Sequence, residues 1–237
     1  MKIGILTYQN TLNFGAALQC YALYRTSTEL GNETEVINYI NSNIEATRNP
    51  INILRKDNNV SLKMTIASSF RKYLYNKKIK SFDNFNNKFI KLSDIRYISN
   101  DEINDNPPLY DKYIIGSDQV WNHHINGMDK TYFMDFVKNK SKIFTYASSF
   151  GLTKIDEQYK STYKKYLNEL HYISVRENEG ARLINELVDK KVEIVNDPVF
   201  LISKDDWVKL IDTKVSFIHT INMMIPDLVT SNNVFIV

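Results

Sequence analysis

The sequence predicts an α/β protein whose first domain is a doubly wound, mostly parallel Rossmann-like sheet. Three observations carry this reading. Short apolar runs with few or no charges inside them recur along the chain, as strands buried on both faces must. Segments of helical spacing separate most of these runs, and alternation of that kind means a parallel sheet covered on both sides. Each run leads into a loop of small and polar residues, and ligands of such sheets bind outside the carboxyl ends of the strands.

Taken in order, residues 2–7 form the first run, and a polar loop over 8–15 follows. A helix is predicted over 16–30, where Leu18, Tyr21, Ala22 and Arg25 follow helical spacing and Gly31 is a natural C-cap. A second strand over 35–39 completes one βαβ unit, with a right-handed crossover. Residues 61–92 read as one or two helices. Leu62, Ile66, Phe70 and Leu74 step by four, and Phe82, Phe85 and Phe89 step by three and four. The opposite face carries Arg71, Lys72, Lys77, Lys78 and Lys80, and reads as solvated. Ser99 and Glu102 have the spacing of a capping box and open a short helix that Pro107-Pro108 ends.

Four more strands are predicted at 112–115, 142–146, 171–175 and 192–195. Helices separate the last three, one through Tyr159, Tyr163, Tyr166, Leu167 and Leu170, the other through Ala181, Ile184 and Leu187. After Asp197-Pro198 the pattern changes. Ser203 caps a short helix through Asp206, Trp207 and Leu210. Residues 213–237 are apolar but irregular, in runs too short to cross a membrane. The expected division is therefore a Rossmann-like domain over 1–200, then a linker helix and the truncated remnant of a second domain over 201–237. The apolar end Val234-Phe235-Ile236-Val237 is the reason for expecting truncation.

Composition narrows the function. A chain of 237 residues with 43% hydrophobic content can bury one full core, with a remainder. A net charge of +3 is too small to argue for nucleic acid or a membrane surface, so no nucleic-acid partner is expected. The lone cysteine, Cys20, cannot form an intrachain disulfide and reads as a buried core thiol. No Cys/His spacing resembles a zinc site, and His123-His124, adjacent on a helix, should point different ways, so no metal is expected. The N-terminal apolar run is too short for a signal peptide, which leaves the cytoplasm as the default compartment.

Four strand-end loops concentrate the chemistry. The first contains Asn13 and Gly15 at the start of a helix, where free N–H groups favour an anion. Asn13 can offer amide donors there, and Gly15 lets a ligand approach the backbone; a tight turn with an Asn cap explains the same residues. This loop is not a GxGxxG fingerprint, so no dinucleotide cofactor is expected. The second runs Gly116-Ser117-Asp118-Gln119-Val120-Trp121-Asn122. Ser117, Asp118, Gln119 and Asn122 suit a polyhydroxylated ligand, Trp121 suits stacking on a sugar ring, and Asp118 is a candidate general acid or base. The competing reading is an N-capped helix start with Trp121 in the core. The third loop holds Ser148, Ser149 and Gly151, and the fourth Arg176 and Glu177. The Arg176 guanidinium suits carboxylate or phosphate, unless it is paired at the surface with Glu177.

Together these residues resemble the polysaccharide pyruvyl transferase family. The matching segments are NFGAALQCYAL, YDKYIIGSDQVWN, YASSFG, ISVRENEG and VNDPVFL, in order and at fitting spacing over roughly residues 1–207. The resemblance implies a fold similar to the N-terminal half of the two-domain GT-B glycosyltransferases, with the site between two Rossmann-like domains. It implies transfer of pyruvate from phosphoenolpyruvate, as a ketal, to a sugar of an exopolysaccharide or capsule, with no cofactor. The implied partners are phosphoenolpyruvate and a glycan acceptor. A lipid-linked acceptor would bring the protein to the inner face of the membrane. On this reading Asp118 and Arg176 are catalytic. Asn13, Gly15, Ser117, Gln119, Trp121, Asn122, Ser149 and Glu177 bind substrate.

Members of that family also carry a second domain with an Arg and His motif thought to hold the donor. Thirty residues follow Trp207 here, fewer than the about 50 of a small domain. The resemblance therefore implies a downstream C-terminal half, and a chain that does not turn over phosphoenolpyruvate alone. Two other readings stand beside it: a non-catalytic glycan- or anion-binding fragment, and a GT-B-type glycosyltransferase.

Overall fold

The computed structural model describes residues 1–48 and 62–212, the side chains of 62–72 and 211–212 excepted. Its centre is a four-stranded parallel sheet in the order β2–β1–β3–β4. The strands are β1 (Lys2–Leu6), β2 (Glu33–Val36), β3 (Lys112–Ile115) and β4 (Ile143–Thr145). In β1, Ile3, Gly4 and Ile5 lie in register with Thr34, Glu35 and Val36 on one side, and with Lys112, Tyr113 and Ile114 on the other. Alternate residues of β1 feed different cores. Ile3 and Ile5 join Cys20, Leu23 and Phe85, whereas Leu6 joins Ile115, Trp121, Phe133 and Tyr163. A period of two that buries both ways is what a sheet covered on both faces requires.

A second parallel pair, β5 (Ile173–Val175) and β6 (Val192–Ile194), continues beyond β4. The sequence predicted one unbroken sheet, but the seam between β4 and β5 is made differently. Phe144 bridges to Tyr172 and Ser148 to Val175. Between them Thr145 Oγ1 donates to Ser174 O (2.8 Å) and accepts from Ser174 N (2.7 Å), while Ser174 Oγ donates to Thr145 O (2.6 Å). Two hydroxyls thus occupy places where ladder bonds would run, and the sheet is spliced rather than continuous.

Helices cover both faces. Helix α1 (Phe14–Glu29) is capped by Asn13 and ends at Leu30, with Gly31 following as foreseen. After α2 (Ser42–Ala46), the stretch predicted as one or two helices is one, α3 (Leu62–Phe89). Its Phe82 and Phe85 are buried, and the Phe82, Phe85 and Phe89 rings meet Phe14 and Tyr21 at 4.9–5.8 Å between centroids. The predicted face from Leu62 to Phe70 lies outside the described side chains. Helix α4 (Asn100–Asp105) has the forward half of its capping box, with Ser99 Oγ accepting from Glu102 N, while the Glu102 carboxylate returns to Ile98 N, one residue before the cap. The remaining helices are α5 (His123–Asn126), α6 (Glu157–Glu169), α7 (Asn178–Asn185) and α8 (Lys204–Asp212). The expected linker packs on the first domain. Ile202 and Leu210 are buried against α1, Trp207 lies 5.8 Å from the Tyr21 ring, and its Nε1 donates to Val199 O. Residues 213–237, read as an irregular apolar tail, lie outside the described residues.

The strand order has one consequence for function. The chain leaves β1 for β2 on one side and returns to β3 on the other. The crevice between the carboxyl ends of β1 and β3 is the switch point where ligands of such sheets bind.

Candidate functional site

One side-chain hydrogen bond ties the two sides of that crevice together, and two more polar side chains order its β1 side. Thr7, at the end of β1, donates through Oγ1 to Ser117 O (3.1 Å). Gln19, on the buried face of α1, donates through Nε2 to Thr7 Oγ1 (3.1 Å) and to Ala16 O (2.9 Å). Asn13 Oδ1 accepts from Ala16 N (3.1 Å), so its carbonyl is the helix cap and its amide nitrogen remains as a donor. Asn13 and Gly15 are exposed, at the positive end of a helix of 16 residues.

The loop after β3 is shaped by close approach. At Gly116 (φ +109°) a Cβ would lie 2.5 Å from Tyr146 O and 2.6 Å from Ser148 Oγ, so no larger residue fits. The Gly116–Ser117 peptide is cis, and Asp118 follows in the left-handed region at φ 72°. Non-glycine residues enter that region at a cost of order 1–3 kcal/mol and gather at functional sites. The β3 and β4 loops then zip together: Ser149 N donates to Asp118 O (2.9 Å) and Trp121 N to Ser149 O (3.1 Å). Asp118 is half-buried, with its Oδ1 accepting from Gln119 N (2.8 Å). Burial raises its carboxyl above the usual range and nearby Asp197 adds to this, while the Gln119 N–H and Arg176 pull the other way.

Arg176, at the end of β5, is held by two carboxylates. Its Nη1 donates to Asp197 Oδ2 (2.8 Å) and its Nε to Glu177 Oε2 (3.3 Å). Glu177 also accepts from Ser149 Oγ. One guanidinium therefore sits among Asp118, Glu177 and Asp197, and the cluster carries excess negative charge. The Arg176–Glu177 pair that competed with anion binding in the sequence is formed, and Asp197 makes a second, shorter pair with the same guanidinium.

The polar cluster of the sequence thus divides. Asp118, Gln119, Arg176 and Glu177 are partly exposed along the carboxyl edge, with Asn13 and Gly15 on the same edge at the end of β1. Trp121 corrects the stacking expectation. It is fully buried, stacked on Phe133 at 5.9 Å, and its Nε1 donates to Tyr132 O. Ser117 and Ser149 are equally buried. Ser117 Oγ donates to Ala147 O, so neither hydroxyl faces a ligand. Asn122 is buried as the cap of α5 and donates to Gln119 Oε1 (3.0 Å), which orients that side chain over Gly151. Thr7, Gln19 and Asp197 were missed. Asp197 had a visible signal, the turn dipeptide Asp-Pro after a strand, but no local pattern reveals that it reaches Arg176.

The two adjacent histidines do not diverge as expected. They occupy the first turn of α5, their ring centroids are 4.3 Å apart, and Asp156 faces them. Burial, then His124, holds the His123 imidazole below its usual value, against the pull of Asp156. Cys20 is a core residue, as read: burial, with Asp118 adding, pushes its thiol up to about 12. No helix among the described residues is long and apolar enough to cross a membrane.

Comparison with known proteins gives one result. The family model described as polysaccharide pyruvyl transferase matches residues 13–232, a span that takes in Asn13 and Gly15 of the first strand-end loop and the whole of the other three, and runs past Trp207. No curated protein and no solved structure matches.

Proposed function

Because this chain belongs to the polysaccharide pyruvyl transferase family, we propose that its strand-end crevice takes part in moving pyruvate from phosphoenolpyruvate to a sugar hydroxyl of a cell-surface polysaccharide. The observation that carries this is Asp118: a half-buried carboxylate at the switch point, on a left-handed backbone, with a raised pKa. A base that must take a proton from a sugar hydroxyl gains from a pKa nearer neutrality. Excess carboxylate around Arg176 suits a neutral polyol, whose hydroxyls donate to Glu177 and Asp197, and repels a phosphate.

The anionic donor then belongs at the other side of the crevice. The N-terminus of α1, with the Asn13 amide and the open approach at Gly15, is electropositive and exposed. In the reaction so arranged, the donor methylene gains a proton and its substituted carbon becomes oxocarbenium-like. The sugar hydroxyl attacks that carbon as Asp118 accepts its proton, phosphate leaves, and a second hydroxyl closes the ketal and gives its proton to the departing phosphate; the proton on Asp118 returns to water, which supplied the one on the methylene. Arg176 is a positioning residue here, holding Asp197 and Glu177 and restraining the pKa of Asp118.

Asn13→Asp tests the donor half of this arrangement. Aspartate caps a helix as well as asparagine does, so stability stays within about 0.5 kcal/mol, but a negative charge replaces the amide donor. Affinity for phosphoenolpyruvate, measured by calorimetric titration of the purified protein, should fall about tenfold or more, a loss of at least about 1.4 kcal/mol. Wild-type affinity in a folded Asn13→Asp chain would remove the donor from this helix.

A further inference from the structure

We propose that His123, His124 and Asp156 form a binding site for a divalent transition-metal ion of the zinc class, pinning the loop after β3 to the start of α6. Their ligand atoms lie within 4.8 Å of one another. Tyr163 Oη donates its one hydrogen to Trp121 O (2.5 Å). Its contact with His123 Nδ1 (3.1 Å) must then be donated by the imidazole. Nδ1 therefore carries a hydrogen, which in the neutral ring leaves Nε2 as the nitrogen able to ligate.

His123 is 4% exposed and its Nε2 has no hydrogen-bond partner, yet Asp156 Oδ2 lies 3.3 Å away. A buried ring nitrogen left without a hydrogen bond, 3.3 Å from a carboxylate oxygen, calls for a shared partner, and a cation between them would serve both. Two ligands of a tetrahedral zinc ion, each about 2.0–2.1 Å from the metal, are about 3.3–3.4 Å apart. Asp156 itself supplies an independent sign. It occupies the N-cap position of α6 but makes no capping hydrogen bond with its side chain, which turns to His123 instead. The carboxylate thus leaves a stabilising capping bond unmade to face the imidazole.

The other features match a metal centre. The Tyr163 contact is the outer-shell hydrogen bond that orients a ligating histidine. His124 is exposed, so its ring is free to turn toward the ion, and the remaining coordination position opens to water. Two imidazoles and one carboxylate suit zinc and its neighbours rather than magnesium or calcium. The site adjoins Asn122, which bonds Gln119, so the ion would stiffen the loop that carries Asp118.

Cobalt titration of the purified, chelator-treated protein tests this through visible absorption. The expected result is one cobalt per chain with the bands of a low-symmetry, near-tetrahedral ion, displaced by zinc and not by magnesium. Tyr163→Phe should weaken binding about ten- to hundredfold, and Asp156→Asn or His124→Ala at least as much. The last two residues are partly or fully exposed, so their variants keep the fold, which circular dichroism checks. Absence of cobalt bands, or binding unchanged in Asp156→Asn, would overturn the site. So would histidine ring nitrogen shifts showing an imidazolium at His123 with zinc in excess, because a proton would then fill the gap.

Discussion

Asp118 sits between opposing influences, and their balance is open to measurement. Burial and Asp197 favour its protonated form; the Gln119 N–H and Arg176 favour the charged one, and the net shift is upward. In the window between the unfolded and the raised folded value, the native state binds more protons than the unfolded state. Stability therefore falls as pH rises through that window. At neutral pH the charged Asp118 is a cost, increased by its left-handed backbone, which asparagine tolerates well. Asp118→Asn should raise Tm at pH 7, by about 2–4 °C for each 1 kcal/mol recovered. The difference should close as pH falls below the ordinary carboxylate range. Thermal melts of both proteins across that range check it, and a lower Tm for Asp118→Asn at pH 7 would make this carboxylate structural. At this scale the sequence showed which residues gather at the strand ends but not which way they face. Ser117, Trp121 and Ser149 turn inward because the β3 and β4 loops zip together, a tertiary effect with no local signature. The histidine pair was misread because regular helix geometry was assumed, whereas the rings sit in the first turn of a four-residue helix.

Elements were the most legible level. Every strand and helix expected within the described residues is present, because apolar runs and helical spacing report directly on which face is buried. Their connection is less visible. The seam between β4 and β5 depends on Thr145 and Ser174, two small polar residues that read in sequence as ordinary strand positions. Thr145→Val keeps shape and β-branching but removes the acceptor of Ser174 N and the donor to Ser174 O. Ser174 O keeps Ser148 N as a donor (3.3 Å), but Ser174 N is left buried and unpaired, which costs about 1–3 kcal/mol. Urea denaturation should show a loss of that size with an unchanged m-value. A loss under about 0.5 kcal/mol would mean the sheet does not depend on the hydroxyl splice. The seam also positions the candidate site, because Arg176 and Glu177 follow β5 directly and β5 joins the central sheet at β4.

At the scale of the whole molecule, the order β2–β1–β3–β4 brings together loops from distant parts of the chain. Thr7 meets Ser117 and Asp118 meets Ser149, and Arg176 meets Asp197, all at one edge. The alternation of strands and helices foretold a parallel sheet. It did not foretell that the guanidinium at its edge would be outnumbered by carboxylates, since Asp197 arrives from beyond β6. That charge balance is why the acceptor sugar is assigned to Asp118 and the donor to the N-terminus of α1. The central claim is that Asp118 serves pyruvyl transfer, and ketal-linked pyruvate on the surface polysaccharide reports on it most directly. The measurement is acid-released pyruvate from polysaccharide of cells whose only copy of this chain carries Asp118→Asn. With the variant present at the wild-type level, pyruvate content should fall at least about a hundredfold, the loss expected for a missing general base. Polysaccharide with undiminished pyruvate from those cells would contradict the account.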